Sequence, residues 1–189
     1  GLMGVMRGKG GRIADVSLVE SSIAAAAWEA AAYLATGEVP QRLGHQHRLN
    51  APYQLFETRD GRYLAIGTPN DELFRRFMNV LGLAECIQDP RFATYVLRKQ
   101  NEKDLLAVVT PAIRSRDLEL LERLLVEAGV PCSPVNDYEQ VFKHEHVRAR
   151  RVLQDVEHPR MGTIRAVRNP VLFDHDGPSI RRPAPMLGQ

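Results

Sequence analysis

Apolar positions along this chain fall into blocks whose period switches between helical and alternating, with Gly, Pro and Asp as punctuation. The first block covers residues 18–35. Ser17 stands before it and Glu20 follows three residues on, the spacing of a capping box, while Gly37 and Pro40 close it. One helix ending at about Thr36 is therefore predicted. Ala24, Ala27, Trp28, Tyr33 and Leu34 leave it almost no polar side apart from Glu29. A helix apolar nearly all round is either a central core helix or one covered by another domain or subunit. At about 30 Å in length it is hard for the remaining residues to cover, which favours the second reading.

Before that helix, the Gly- and Lys/Arg-rich residues 1–12 read as a loop and residues 12–16 as a short strand. Residues 41–52 form a polar loop without periodicity. Residues 53–58 and 63–67 flank Asp60-Gly61, a strong hairpin signal. A helix capped by Asn70 or Asp71 follows, with Leu73, Phe74, Phe77, Met78 and Leu81 on one face and Gly82 at its end. Asp89-Pro90-Arg91-Phe92 breaks the chain. The next helix starts near Asn101, buries Leu105, Leu106, Val109 and Ile113, and is kinked or divided at Pro111. Asp117 caps another, with Leu118, Leu121, Leu124 and Leu125 inward and Gly129 ending it. Residues 130–135 are extended but too Pro-rich for a central strand. Two short helices, 137–142 and 144–151, precede strands at 152–157, 163–168 and 170–173, and the tail from Arg181 is extended. The fold class is thus α/β, a mixed α+β fragment. It has a strand and linker helix (1–40), a small domain with an antiparallel hairpin and helices (41–150), and an extended return segment (151–189).

Composition narrows the function. A formal charge of +2 over 189 residues argues against nucleic acid. Glu20 and Glu29 inside the most apolar stretch exclude a membrane span there. Two cysteines, Cys86 and Cys132, make no disulfide framework, so a cytoplasmic location is expected. The chain opens Gly1-Leu2-Met3, which reads as an engineered junction or an internal start.

The side chains that carry chemistry are sparse. His45 and His47, like His144 and His146, are spaced H-x-H, but neither pair has further ligands at metal-site spacing, so no metal is expected. Cys132 lies between two prolines and reads as a structural thiol. Gly8-Lys9-Gly10-Gly11 lacks the spacing of a phosphate loop and reads as a plain turn. Lys143, Arg148, Arg150, Arg151, Arg160, Arg165 and Arg168 outnumber Glu145, Asp155 and Glu157. Such an excess suits a polyphosphate or an acidic surface, and is more often a solvated face. No carboxylate pair or triad stands out, and no catalytic residue is assigned.

A series of short motifs nevertheless occurs in a familiar order. These are Asp15-Val16-Ser17-Leu18, Arg42-Leu43-Gly44, Ala51-Pro52-Tyr53-Gln54, Asp60-Gly61-Arg62-Tyr63 and Asp89-Pro90-Arg91-Phe92. Then come Gly129-Val130-Pro131-Cys132 with Pro134-Val135, His158-Pro159 with Gly162, and Arg182-Pro183-Ala184-Pro185 with Leu187-Gly188-Gln189. Together they resemble the C-terminal half of the family III CoA-transferases, which include formyl-CoA transferase, carnitine CoA-transferase and 2-methylacyl-CoA racemase. The resemblance implies an interlocked homodimer and an N-terminal Rossmann-like domain that binds CoA. It also implies an aspartate in that domain that attacks the acyl-CoA thioester before CoA passes to a carboxylic acid acceptor. That aspartate has no counterpart here. No cofactor is implied beyond the coenzyme A thioester itself, which is substrate.

For this half, the resemblance implies a wall of the site. The family's glycine-rich loop falls on residues 44–50, where the sequence departs from the pattern; Gly44, His45, Gln46 and His47 are the candidate substrate-contacting residues. The racemases place an acidic residue just after the second hairpin strand. Here Asn70 stands at that point and Asp71 one step later, so Asn70 joins the candidates and transfer is favoured over racemisation. The alternative from another class is a non-catalytic acyl-CoA-binding or scaffolding domain.

Overall fold

The computed structural model describes residues 15–172, 180 and 182–186. The chain packs as two units, residues 1–45 and 46–189.

In the first unit, Ser17 does cap a helix: its Oγ accepts from the Glu20 N–H at 3.4 Å. The expected single helix is instead two, α1 (Leu18–Ala25) and α2 (Ala27–Thr36), meeting at Ala26 with φ −90° and ψ 23°. The Ala26 N–H bonds both Ser22 and Ile23 carbonyls, a local tightening of the kind that interrupts a regular ladder. Gly37 ends α2 in the left-handed conformation, φ 73°, as its lack of a Cβ permits. Leu18, Ile23, Trp28 and Leu34 are all exposed. Asp15 and Val16 are not in a strand; the rest of the strand expected there lies outside the described residues.

The second unit begins from the hairpin, as expected. β1 (Tyr53–Glu57) pairs antiparallel with β2 (Tyr63–Gly67), Tyr53 opposite Gly67 and Glu57 opposite Tyr63. The Ala51–Pro52 bond leading into β1 is cis. Alternation puts Phe56 of β1 and Leu64 and Ile66 of β2 into the core, the period-two logic of a half-buried sheet. α3 (Asp71–Leu81) then lays Phe74, Phe77, Met78 and Leu81 on the same core. Two 3₁₀ turns, Ala84–Gln88 and Pro90–Phe92, follow, and α4 (Tyr95–Gln100), absent from the sequence reading, is capped by Thr94. α5 (Glu102–Arg114) buries Leu105, Val109 and Ile113. Pro111 neither divides it nor ends it; the helix continues to Arg114.

α6 (Leu118–Glu127) buries Leu118, Leu121 and Leu125. Its cap differs from expectation. Asp117 stands at the cap position, but its carboxylate is taken by Arg59 of the hairpin turn, Nε donating to Oδ1 at 2.8 Å. Asp60 of the same turn accepts the Leu118 N–H at 3.4 Å and the Thr58 hydroxyl at 2.6 Å. The Thr58 bond, first among its causes, holds the Asp60 carboxyl below its ordinary value. The hairpin turn therefore caps a helix 58 residues away in sequence.

β3 (Cys132–Pro134) joins the sheet antiparallel to β2, giving the order β1-β2-β3 with the Pro-rich strand at the edge, as expected. α7 (Tyr138–Lys143) opens with a full capping box between Asp137 and Gln140, and α8 (Glu145–Ala149) follows. β4 (Leu153–His158) and β5 (Gly162–Val167) form a separate antiparallel pair. A strand at 170–173 does not form at residues 170–172, and Phe173 lies outside the described residues.

Candidate functional site

The hairpin end at Tyr53 and Gly67 gathers the polar groups of the candidate loop. The His47 N–H donates to the Tyr53 carbonyl at 2.9 Å, which pins the loop to the outer edge of β1. The His47 ring lies flat on the Tyr53 ring, centroids 4.7 Å apart and planes 10° from parallel. Its Nδ1 accepts the Leu49 and Asn50 N–H groups at 3.1 and 3.2 Å. An Nδ1 that accepts twice carries no proton, so the N–H of a neutral His47 ring sits on Nε2. Lys99 of α4 donates to the His47 carbonyl at 2.8 Å and to Glu102 at 2.6 Å.

Across the hairpin, Gly67 makes room for the Tyr53 ring. A Cβ there would meet Tyr53 Cε2 at 3.2 Å, with no positive φ involved. This is a packing need for glycine rather than a conformational one. Gly67→Ala should shift the Tyr53 ring by a few tenths of an ångström and cost about 1 kcal/mol. The check is the His47 ring proton shift by NMR beside a urea midpoint. An unmoved His47 signal would show that the stack does not depend on this gap.

Thr68 turns the chain away from the strand, its N–H and Oγ1 both bonding the Pro52 carbonyl at 3.2 and 2.9 Å. Asn70 then caps α3, Oδ1 accepting from Leu73 N–H at 2.9 Å. Asp71, the first residue of α3, is held by Arg98 of α4, with Nη2 to Oδ1 at 2.7 Å. Arg98 is only 1% exposed. Its Nη1 donates to the Phe92 carbonyl at 3.1 Å, and its Cζ lies 4.4 Å from the centre of the Phe74 ring, within cation–π range. Consecutive residues of α4 thus tie down both segments: Arg98 the start of α3, Lys99 the His47 loop.

Of the expected contact residues, His47 and Asn70 fall on the second unit, at the same end of the hairpin. Gln46 is half-buried at the start of that unit, and Gly44 (φ 62°) and His45 are exposed at the end of the first. Arg98, Lys99, Tyr53 and Gly67 were missed. Their signal in sequence was faint: a Gly opposite a Tyr across a hairpin, and a basic pair whose partners lie far off in sequence.

Among the described residues, no three His, Cys, Asp or Glu side chains gather as a metal site. Both cysteines are free, and burial pushes both thiols up. That is the reverse of what a nucleophilic thiolate needs. No described helix is long and apolar enough to cross a membrane.

The description CoA-transferase family III matches residues 2–189. An acyl-CoA transferase of Fusarium pseudograminearum is 34% identical over 184 residues, 96% of this chain and 40% of that protein. Human succinyl-CoA:glutarate CoA-transferase is 31% identical over 179 residues, 95% of this chain and 41% of that one. A solved CAIB/BAIF family protein of Brucella suis is similar with a TM-score of 0.80 and 30% identity, across 98% of this chain and 48% of that one. The chain therefore spans less than half the length of each of these proteins, and by this match, in the order its motifs occur, it belongs to CoA-transferase family III.

Proposed function

We propose that this chain forms part of an acyl-CoA:carboxylate CoA-transferase, which moves CoA from a thioester to a carboxylic acid. The observation that carries the reading is the family match along the whole chain. Succinyl-CoA and glutarate, the pair in the name of the human relative, are the first donor and acceptor to try. In this reading the attacking aspartate comes from the portion of the family's length that the chain does not span. The His47 loop and the Asn70 turn then contribute a wall against the acyl or acceptor group, and Gly44, His45 and Gln46 are proposed as further substrate contacts. The protein works as a homodimer in the cytoplasm, and the exposed Leu18, Trp28 and Leu34 support a covering partner for α1 and α2. It uses no cofactor besides the CoA thioester.

The Asp71–Arg98 pair speaks against racemisation. A carboxylate that is to take an α-proton must reach the substrate, and Asp71 gives an oxygen to a buried guanidinium instead. A panel of acyl-CoA donors and acids, followed by mass for thioester exchange, tests the reading on the full-length protein. Transfer to at least one acid is expected there, without deuterium uptake at the α-carbon of a 2-methylacyl-CoA. The 189-residue chain alone should give none. Turnover by the chain alone, or α-deuteration without transfer, would overturn the proposal.

A further inference from the structure

The basic stretch near the end of the chain folds around an open cleft of about 720 Å³ between α7–α8 and the β4–β5 hairpin. That volume is in the range of small-molecule sites, about 300–1,000 Å³. Four cationic side chains line it: Lys143, Arg148, Arg151 and Arg165. Two are matched by acids, Lys143 by Glu139 one helical turn away and Arg165 by Asp155 at 3.7 Å across the hairpin. Arg148 and Arg151 have no carboxylate partner among the described residues. The cleft therefore carries two unmatched positive charges beside an apolar wall that includes Phe142 and Val152.

The backbone at this point is also unusual. Arg151 has φ 49°, the one positive φ outside glycine among the described residues. A long side chain is disfavoured there, and strain of this kind gathers where a side chain must be aimed. A second arginine fixes the turn from beneath. Arg168, 8% exposed, donates through Nε to the Arg151 carbonyl at 3.0 Å and through Nη2 to the Arg150 carbonyl at 2.8 Å. Its Nη1 bonds the Asn169 carbonyl at 2.8 Å. Among the described residues, no carboxylate balances this buried cation either. Arg168 thus holds Arg151 in an unfavourable conformation in the lining of a cationic cleft.

We propose that this cleft binds the phosphate groups of a small ligand, with Arg148 and Arg151 donating to the oxygens. Guanidinium groups are suited to this by their planar fork of donors. The site shares no residue with the His47–Asn70 end of the hairpin, and it stands or falls apart from the transfer reaction.

Calorimetric titration of the chain with pyrophosphate and with ADP, at low salt, tests it. Saturable one-to-one binding is expected with at least one of the two. Arg148→Ala and Arg151→Gly should each weaken it about tenfold, as loss of a charge-assisted hydrogen bond does. The glycine suits the positive φ, so that variant should melt no lower than the parent, and its loss of binding is not a loss of fold. Tighter binding of ADP than of pyrophosphate supports the site and gives the apolar wall to a nucleoside. Equal affinities support it as a site for phosphate alone. No saturable binding of either, or unchanged binding by both variants, would overturn it.

Discussion

Arg98→Ala should destabilise the second unit by about 3 kcal/mol, and so lower its melting temperature by about 6–12 °C. The side chain is 1% exposed, yet it meets a carboxylate, a carbonyl and an aromatic face. Truncation strands the Phe92 carbonyl, removes the cation over Phe74 and opens a hole at the junction of α3 and α4. Asp71 is half in water, side-chain exposure 47%, which keeps the loss at the low end for a broken buried pair. Urea denaturation followed by circular dichroism is the measurement. Arg98→Met separates packing from charge, because its stem fills much of the same space; it should recover part of the loss, about 1 kcal/mol. A change below 1 kcal/mol in Arg98→Ala would mean that the pair contributes no net stability and that α3 is fixed by its apolar face alone.

Phe77→Ala should have a larger effect, about 4 kcal/mol, since Phe77 is fully buried at 0% exposure in the core shared by the sheet and the helices. Phe77→Leu keeps most of the volume and should cost about 1 kcal/mol. Both values come from the same denaturation experiment, and similar losses for the two variants would show that the core relaxes around the hole. Unlike Arg98, Phe77 offers no polar group to the His47 loop or to the Asn70 turn. Its effect should therefore appear in stability and not in the His47 ring signals of the remaining folded protein.

The contrast between these two residues shows what was legible in the sequence. Phe77 is plain from the i, i+3, i+4 spacing with Phe74, Met78 and Leu81, because burial of a helix face is written in local periodicity. The hairpin was equally readable, since Asp60-Gly61 and the flanking alternation are local. Arg98 was not. Its three partners lie 6 to 27 residues away, and a lone Arg in a six-residue helix looks like any solvated cation. The Asp117 cap failed for a related reason. The sequence offered the right residue at the right place, but Arg59, 58 positions upstream, took its carboxylate and Asp60 supplied the replacement. The break at Ala26 was hidden because the run of alanines has high helix propensity throughout and holds no Gly or Pro. For the candidate site, the ordered motifs pointed to the His47 loop and Asn70. The α4 residues that hold them emerged only with tertiary packing.

The three-stranded sheet has a further consequence, for association. Hydrogen bonds from Gly67 to the Pro131 carbonyl and from Val135 to the Tyr63 carbonyl turn the backbones of Cys132 and Pro134 away from β2. Proline has no N–H to offer on that outer side, so a fourth strand would find an interrupted ladder. At the other border, the Tyr53 carbonyl is already taken by His47, and the Glu57 side chain is taken by Arg114. Both rims are thus blunted in the way that soluble sheets avoid edge-to-edge aggregation. A second chain that docks at this sheet then meets side chains rather than open backbone, which fixes specificity by shape and charge rather than by the generic pairing of strands.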